Sequence, residues 1–321
     1  LKPAMGGIVG YTEDEIRTYF GDSLRRSAAL LYGKATSYEI EEQNIERLMD
    51  ELRLHYDGYC FDANARTHVF QTWSVLRFFA QETEPQFSDF WFQSGGLSKL
   101  LVEYFRTQGN VSSQACDSLT CSWDEFNSAT TLQAMPIPVL LCQCGYYTIR
   151  RADAATVTLG LPNLELCKAR ARLLLFDVFA KTAVRDLLGQ GAGFSAESSP
   201  QAVQEAFNAV LSATHSRNRL CSEYQVCDCI RLYFLGTGAD VRGEVEQQGD
   251  RSDLVFEFAR RRVVIEMKYA RRSAECPGLL AKAVQQMRAR DYGFYVPVKG
   301  LRRIAMAYDG ESARIACACE A

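Results

Sequence analysis

Through the first half of the chain, apolar positions recur at the three-to-four-residue spacing of amphipathic helices. Helix patterns run over residues 13–31, 40–56, 74–81 and 96–108. Thr12 precedes the first as its N-cap, with Glu15 three residues on completing a capping box. Residues 109–121 are polar and read as a loop, whereas 164–189 and 201–213 return to helical spacing. Beyond residue 216 the period changes. A helix pattern at 223–234 is followed by short alternating runs at 241–246, 252–256 and 263–268, then a helix at 279–290 and two more runs at 303–308 and 313–318. The order is helix, three strands, helix, two strands, with strands clustering in the last third. The expectation is an α+β (mixed α/β) chain: a largely helical region over 1–160, a helical connector over 161–215, and a sheet flanked by helices over 216–321.

Candidate chemistry sits on those last strands. Asp253 lies in one apolar run, and after twelve further residues Glu266-Met267-Lys268 interrupts another, with Arg260-Arg261-Arg262 read as the connecting turn. Side chains alternate on a strand, so Glu266 and Lys268 share a face with Met267 opposite. Buried charge in so apolar a run is costly unless paired or bound to metal. Carboxylates hold hard cations, and a lysine beside them adds a point charge, which together suit metal-assisted phosphodiester hydrolysis. The plainer alternative is a solvated strand face. Glu244 lies in the preceding run, and Gln285 and Gln286 lie in the helix pattern that leads to Tyr292.

These segments resemble the PD-(D/E)XK nuclease superfamily, and more narrowly its branch at the end of bacterial AAA-ATPase-like proteins. The resemblance rests on Glu244, on Asp250-Arg251-Ser252-Asp253-Leu254-Val255, on Glu266-Met267-Lys268, and on Ala283-Val284-Gln285-Gln286-Met287 with Tyr292. It implies a restriction-endonuclease-like mixed sheet in which Asp253, Glu266 and Lys268 form the catalytic core and Glu244 and Gln286 support it. Asp253, Glu266 and Glu244 would hold Mg2+ or Mn2+. Asp250 stands where the family has glycine, adding negative charge near the site.

The first half carries further similarity, through His55-Tyr56-Asp57-Gly58-Tyr59, Val69-Phe70-Gln71-Thr72-Trp73-Ser74-Val75-Leu76, Phe90-Trp91-Phe92-Gln93-Ser94-Gly95, Gly145-Tyr146 and Leu161-Pro162-Asn163-Leu164-Glu165. Aromatic residues at such spacings are packing anchors first. Members of this branch begin with an ATPase module. No G-x-x-x-x-G-K-S/T loop occurs here and the first residue is Leu1, so the chain is expected to be the C-terminal piece of a longer product with no ATP site of its own.

Composition narrows the partners. The net charge of −3 hides an asymmetry, because from Arg251 onward fourteen Lys or Arg face eight Asp or Glu. Arg251, Arg271, Arg272 and Arg288, with Arg260–Arg262, Arg290, Arg302 and Arg303, are candidates for nucleic-acid backbone contact, DNA ahead of RNA. No run is long and apolar enough to span a membrane, and a cytoplasmic setting is expected. Twelve cysteines fall irregularly, in C-x-C pairs without histidine companions, and read as small buried hydrophobes rather than a zinc site. The leading expectation is a metal-dependent nuclease, with a homodimer open. The alternative is a nuclease-like module without catalysis that binds nucleic acid or a protein partner.

Overall fold

The computed structural model describes residues 5–91, 118–128, 135–179, 184–187, 193–214, 220–247, 250–258, 261–289 and 300–321. The chain divides into two compact units, Leu1–Ala169 and Arg170–Ala321. Both helices and strands are present throughout, so the mixed α+β class holds.

In the first unit, helices α1 (Glu13–Tyr19), α2 (Gly21–Tyr32), α3 (Tyr38–Tyr56) and α4 (Thr72–Phe79) close on one apolar core. Its centre is Ile16, Leu24, Leu48, Met49, Leu52, Tyr56, Phe70, Val75 and Phe78. Thr12 caps α1 as expected, and Glu15 reaches back to the Thr12 amide at 2.8 Å, which closes the capping box. The single helix expected over 13–31 is two, parted at Phe20, whose ring stacks on Phe79 at 5.0 Å. The pattern at 96–108 lies outside the described residues.

The expectation that strands cluster in the last third is corrected here. Strands β1 (Tyr59–Cys60) and β2 (His68–Val69) pair antiparallel, and β3 (Ser118–Ser122), β4 (Thr148–Ala152) and β5 (Thr156–Gly160) form a sheet in the order β3-β5-β4. Two short helices, α5 (Trp123–Asn127) and α6 (Ile137–Gln143), accompany it. The β4–β5 hairpin turns at Asp153, whose carboxylate accepts from the amides of Ala155 and Thr156 at 2.8 Å each. Ser118–Ser122 is thus strand where the polar composition read as loop. Gly58 is a place where only glycine fits: its φ is +96°, and a Cβ there would lie 2.2 Å from the Pro162 carbonyl oxygen.

Helix α7 (Leu164–Val178) carries the boundary between the units, and helical residues recur at 184–187 within the stretch expected to be helical to 189. The second unit continues with α8 (Pro200–Ser212), α9 (Glu223–Gly236), β6 (Asp240–Gln247), β7 (Asp250–Phe258), β8 (Arg261–Ala270), a 3-10 turn at Ser273–Glu275, α10 (Cys276–Ala289), β9 (Gly300–Asp309) and β10 (Arg314–Glu320). This is the predicted helix, three strands, helix, two strands. The five strands form one sheet in the order β10-β9-β8-β7-β6, antiparallel except where β8 runs parallel to β9. A parallel pair needs a long crossover, and α10 supplies it. Central β8 is buried almost throughout, as its Val263-Val264-Ile265 run requires.

The faces of this sheet are covered differently. One meets α8 and α9 through an aromatic cluster of Phe194, Phe207, Phe234, Phe256 and Phe258, with ring centroids such as Phe207–Phe256 at 5.8 Å. The other packs Val255, Val264 and Ala305 against Ala283 and Met287 of α10. At the outer strand β10, a register shift between Ile315 and Cys317 is held by Asn208. Its side chain donates to the Ile315 carbonyl at 3.0 Å and accepts the Ile315 amide at 2.7 Å.

Candidate active site on the central sheet

The register of β6, β7 and β8 assembles the candidate residues. Gly243 and Val245 pair with Leu254 and Ser252, so Glu244 and Asp253 occupy matching positions between those pairs. Leu254 pairs with Ile265, so Asp253 and Glu266 each stand one residue beyond. Glu244, Asp253 and Glu266 therefore stand in one row across three adjacent strands. The side chains of Glu244, Asp253 and Arg251 lie outside the described residues. The row continues onto β9 and β10 as Ala305 and Cys319. Lys268 is aligned with Ala307. Ala305 and Ala307 beside these two charged residues are fully buried.

Glu266 is 1% exposed, and its Oε1 accepts from Lys268 Nζ at 2.7 Å. Met267 between them is fully buried, as alternation predicts. A carboxylate so deep in a sheet stays charged only with such a partner. Lys268 also reaches Glu223 Oε1 at 3.3 Å. Glu223 opens α9 after the Ser222 N-cap, whose hydroxyl accepts the Gln225 amide. Sequence reasoning missed Glu223 as a site residue, because an acidic residue behind a serine cap reads as ordinary helix-start chemistry.

Gln286, on α10 beside buried Met287, is half-buried at the face that covers Glu266. Gln285 is exposed and Tyr292 lies outside the described residues. Asp250 begins β7 opposite Gln247. Whether a divalent cation fits is judged by the donor set. Of the row, Glu266 offers a buried carboxylate, the donor type such a cation takes. Among the described residues no group of three metal-ligating side chains comes together.

The basic residues separate into two groups. Arg271 and Arg272, just past the end of β8, and Arg288, in the last turn of α10, are exposed. Of the other candidates, Arg261, Arg262 and Arg302 are already engaged, and Arg260 and Arg290 lie outside the described residues. Arg261 and Arg262 belong to β8 rather than to a turn, since Phe258 and Glu257 pair with them. Arg261 pairs with Glu197, and Arg262, 3% exposed, pairs with Glu257 at 2.6 Å. Arg302 holds Glu320 at 2.7 Å and donates to the Ala196 carbonyl at 2.8 Å. Arg262 is also four residues before Glu266 on the same strand, about 13 Å away. Among the described residues, the exposed basic candidates are thus fewer than the sequence count.

The aromatic motifs of the first unit are mostly core, with Tyr56, Phe70 and Phe90 buried. Trp73 and Phe61 depart from that reading, being 45% and 38% exposed. With Tyr59, Leu76 and Trp91 they line an apolar cavity of about 360 Å3. The described cysteines are free thiols, and Cys60, Cys121, Cys227, Cys229 and Cys276 are buried, as small hydrophobes would be. No helix among the described residues is long and apolar enough to cross a membrane. Compared with known proteins, the chain matches no family model, and no curated protein gives a significant match.

Proposed function

We propose that the second unit is a metal-dependent nuclease of the PD-(D/E)XK type, acting on phosphodiester bonds of nucleic acid, DNA in the first place. The observation that carries this reading is the row Glu244–Asp253–Glu266 with Lys268 bonded to Glu266. Glu244, Asp253 and Glu266 would hold Mg2+ or Mn2+, which when bound supplies a Lewis acid and lowers the pKa of its water. Glu266 brings a fixed negative charge on a rigid central strand. Lys268 places an ammonium beside it, where it favours the negative charge that builds on phosphate during hydrolysis. Gln286 offers an amide from the covering helix, able to orient water or a phosphate oxygen. Arg271, Arg272 and Arg288 are placed to contact the nucleic-acid backbone without reading bases.

The test is cleavage of a mixed set of DNA and RNA substrates with and without Mg2+ or Mn2+. Wild-type protein should cut only with metal, and Lys268→Ala and Glu266→Ala should each lower the rate at least about 100-fold. Metal-independent cutting, or cutting that both variants retain, overturns the reading. Salt-dependent binding without cutting would favour a nuclease-shaped module that binds nucleic acid.

A further inference from the structure

Resting on that reading, we propose that Glu223 is a positioning residue that takes Lys268 from Glu266 when Glu266 engages a divalent cation. The geometry sets up a competition. Lys268 Nζ lies 2.7 Å from Glu266 Oε1 and 3.3 Å from Glu223 Oε1, so one ammonium sits between two carboxylates on different elements. Glu266 is buried, and its side chain has little room to turn away. Oε1 cannot keep a full ammonium contact and at the same time serve as a cation ligand, because the two positive charges would be forced together. A cation on either oxygen of Glu266 therefore repels the Lys268 ammonium and favours its moving off.

Glu223 is an acceptor already in reach. Its side chain is 36% exposed, so it has freedom to follow the ammonium that Glu266 lacks. It is fixed at its base by the first turn of α9, which the Ser222 cap pins and whose Phe234 packs on Phe256 of the sheet. Glu223 thus lies on the outer side of the lysine from Glu266, and the two states differ by a short shift of Nζ. In the structure the lysine blocks Glu266. After the shift it is held beside the site, where its charge remains available to phosphate.

The test is a double-substitution cycle read by Mn2+ affinity, using electron paramagnetic resonance on the full chain without nucleic acid. Glu223→Gln should weaken Mn2+ binding about tenfold, as loss of a supporting contact does in metal sites. Lys268→Met should remove that effect, so that Glu223→Gln in the Lys268→Met background changes affinity less than about twofold. Equal weakening in both backgrounds would make Glu223 a direct ligand and overturn the hand-over. No effect of Glu223→Gln in either background overturns it as well. Absence of Mn2+ binding by wild type would instead overturn the cation reading beneath it. Circular dichroism on each variant checks that it is folded.

Discussion

Two buried glutamates, one in each unit, solve the same problem in opposite ways. Glu165, fully buried at the start of α7, is held by neutral donors alone: the Ser74 hydroxyl at 2.9 Å and the Trp91 amide at 2.7 Å. Burial pushes its carboxyl up to about 7, against those hydrogen bonds, which pull it down. Glu266 is held by an ammonium, Lys268. The first arrangement ties α4, α7 and the Trp91 segment together and is content with a proton. The second pairs a buried carboxyl with an ammonium inside a sheet, which packing alone does not need. A buried carboxyl is common structural material, whereas one paired with a half-buried lysine is a candidate for chemistry.

The sharpest way to break this contrast is to remove the cation. Lys268→Met leaves Glu266 buried beside its row of carboxylates and should cost about 3 kcal/mol, read by denaturant titration at pH 7. Glu266→Gln should cost less, since an amide needs no counter-charge. The double variant Glu266→Gln/Lys268→Met should lie within about 1 kcal/mol of wild type, as replaced buried pairs often do. If Lys268→Met were as mild as the double variant, the pair would not be holding charge in the core.

Glu165 predicts a pH dependence of opposite sense to that of most carboxylates. Its folded pKa of about 7 lies above the ordinary value of 4.5, so between these the folded state holds a proton that the unfolded chain releases. Its contribution to stability is therefore full below pH 4.5, falls as pH rises, and levels off above 7. The loss over that window is about 3 kcal/mol. Glu165→Gln should abolish this slope, visible as a wild-type-minus-variant stability difference that drifts from pH 4.5 to 7. Glu13 works in a lower window, because hydrogen bonds from Arg53 and Arg17 hold its carboxyl down to about 2, so what it adds is lost as pH falls below 4.5. A flat difference curve between pH 4.5 and 7 would show that Glu165 is ionised and satisfied in the folded protein.

The sheet that carries the candidate site was largely legible because its strands announce themselves locally. Val263-Val264-Ile265 and Leu254-Val255-Phe256 are apolar and β-prone, and the helix pattern between β8 and β9 fits a crossover. Glu266 and Lys268 stood out because they break such a run. What could not be read was spatial. Glu223 is distant in sequence from Lys268, and nothing local marks an acidic helix start as a lysine partner. Arg261 and Arg262 looked like a turn by charge, yet Arg262 is buried because Glu257 neutralises it across the ladder. The strands of the first unit escaped for a different reason. Their pairs are short, and Ser118–Ser122 finds its place only through long-range pairing with β5.

A finer test of the contrast changes one donor rather than the charge. The Ser74 hydroxyl contacts both oxygens of Glu165, at 3.1 and 2.9 Å, and lowers its pKa, so Ser74→Ala should raise that pKa further. At pH 5, where Glu165 is protonated, the loss is an ordinary hydrogen bond of about 1 kcal/mol. At pH 8 the remaining carboxylate depends on the Trp91 amide, and the loss should approach about 2 kcal/mol, the range for bonds to charged groups. The prediction is thus a small penalty that grows with pH, measured by denaturant titration at both values. A penalty equal at pH 5 and 8 would mean that Ser74 supports α4 and not the charge state of Glu165. Ser222, the serine before Glu223, binds the Gln225 amide instead, so Ser222→Ala should show a pH-independent loss of about 1 kcal/mol typical of a helix cap. Paired in one experiment, the two serines separate a donor that tunes a buried acid from one that only starts a helix.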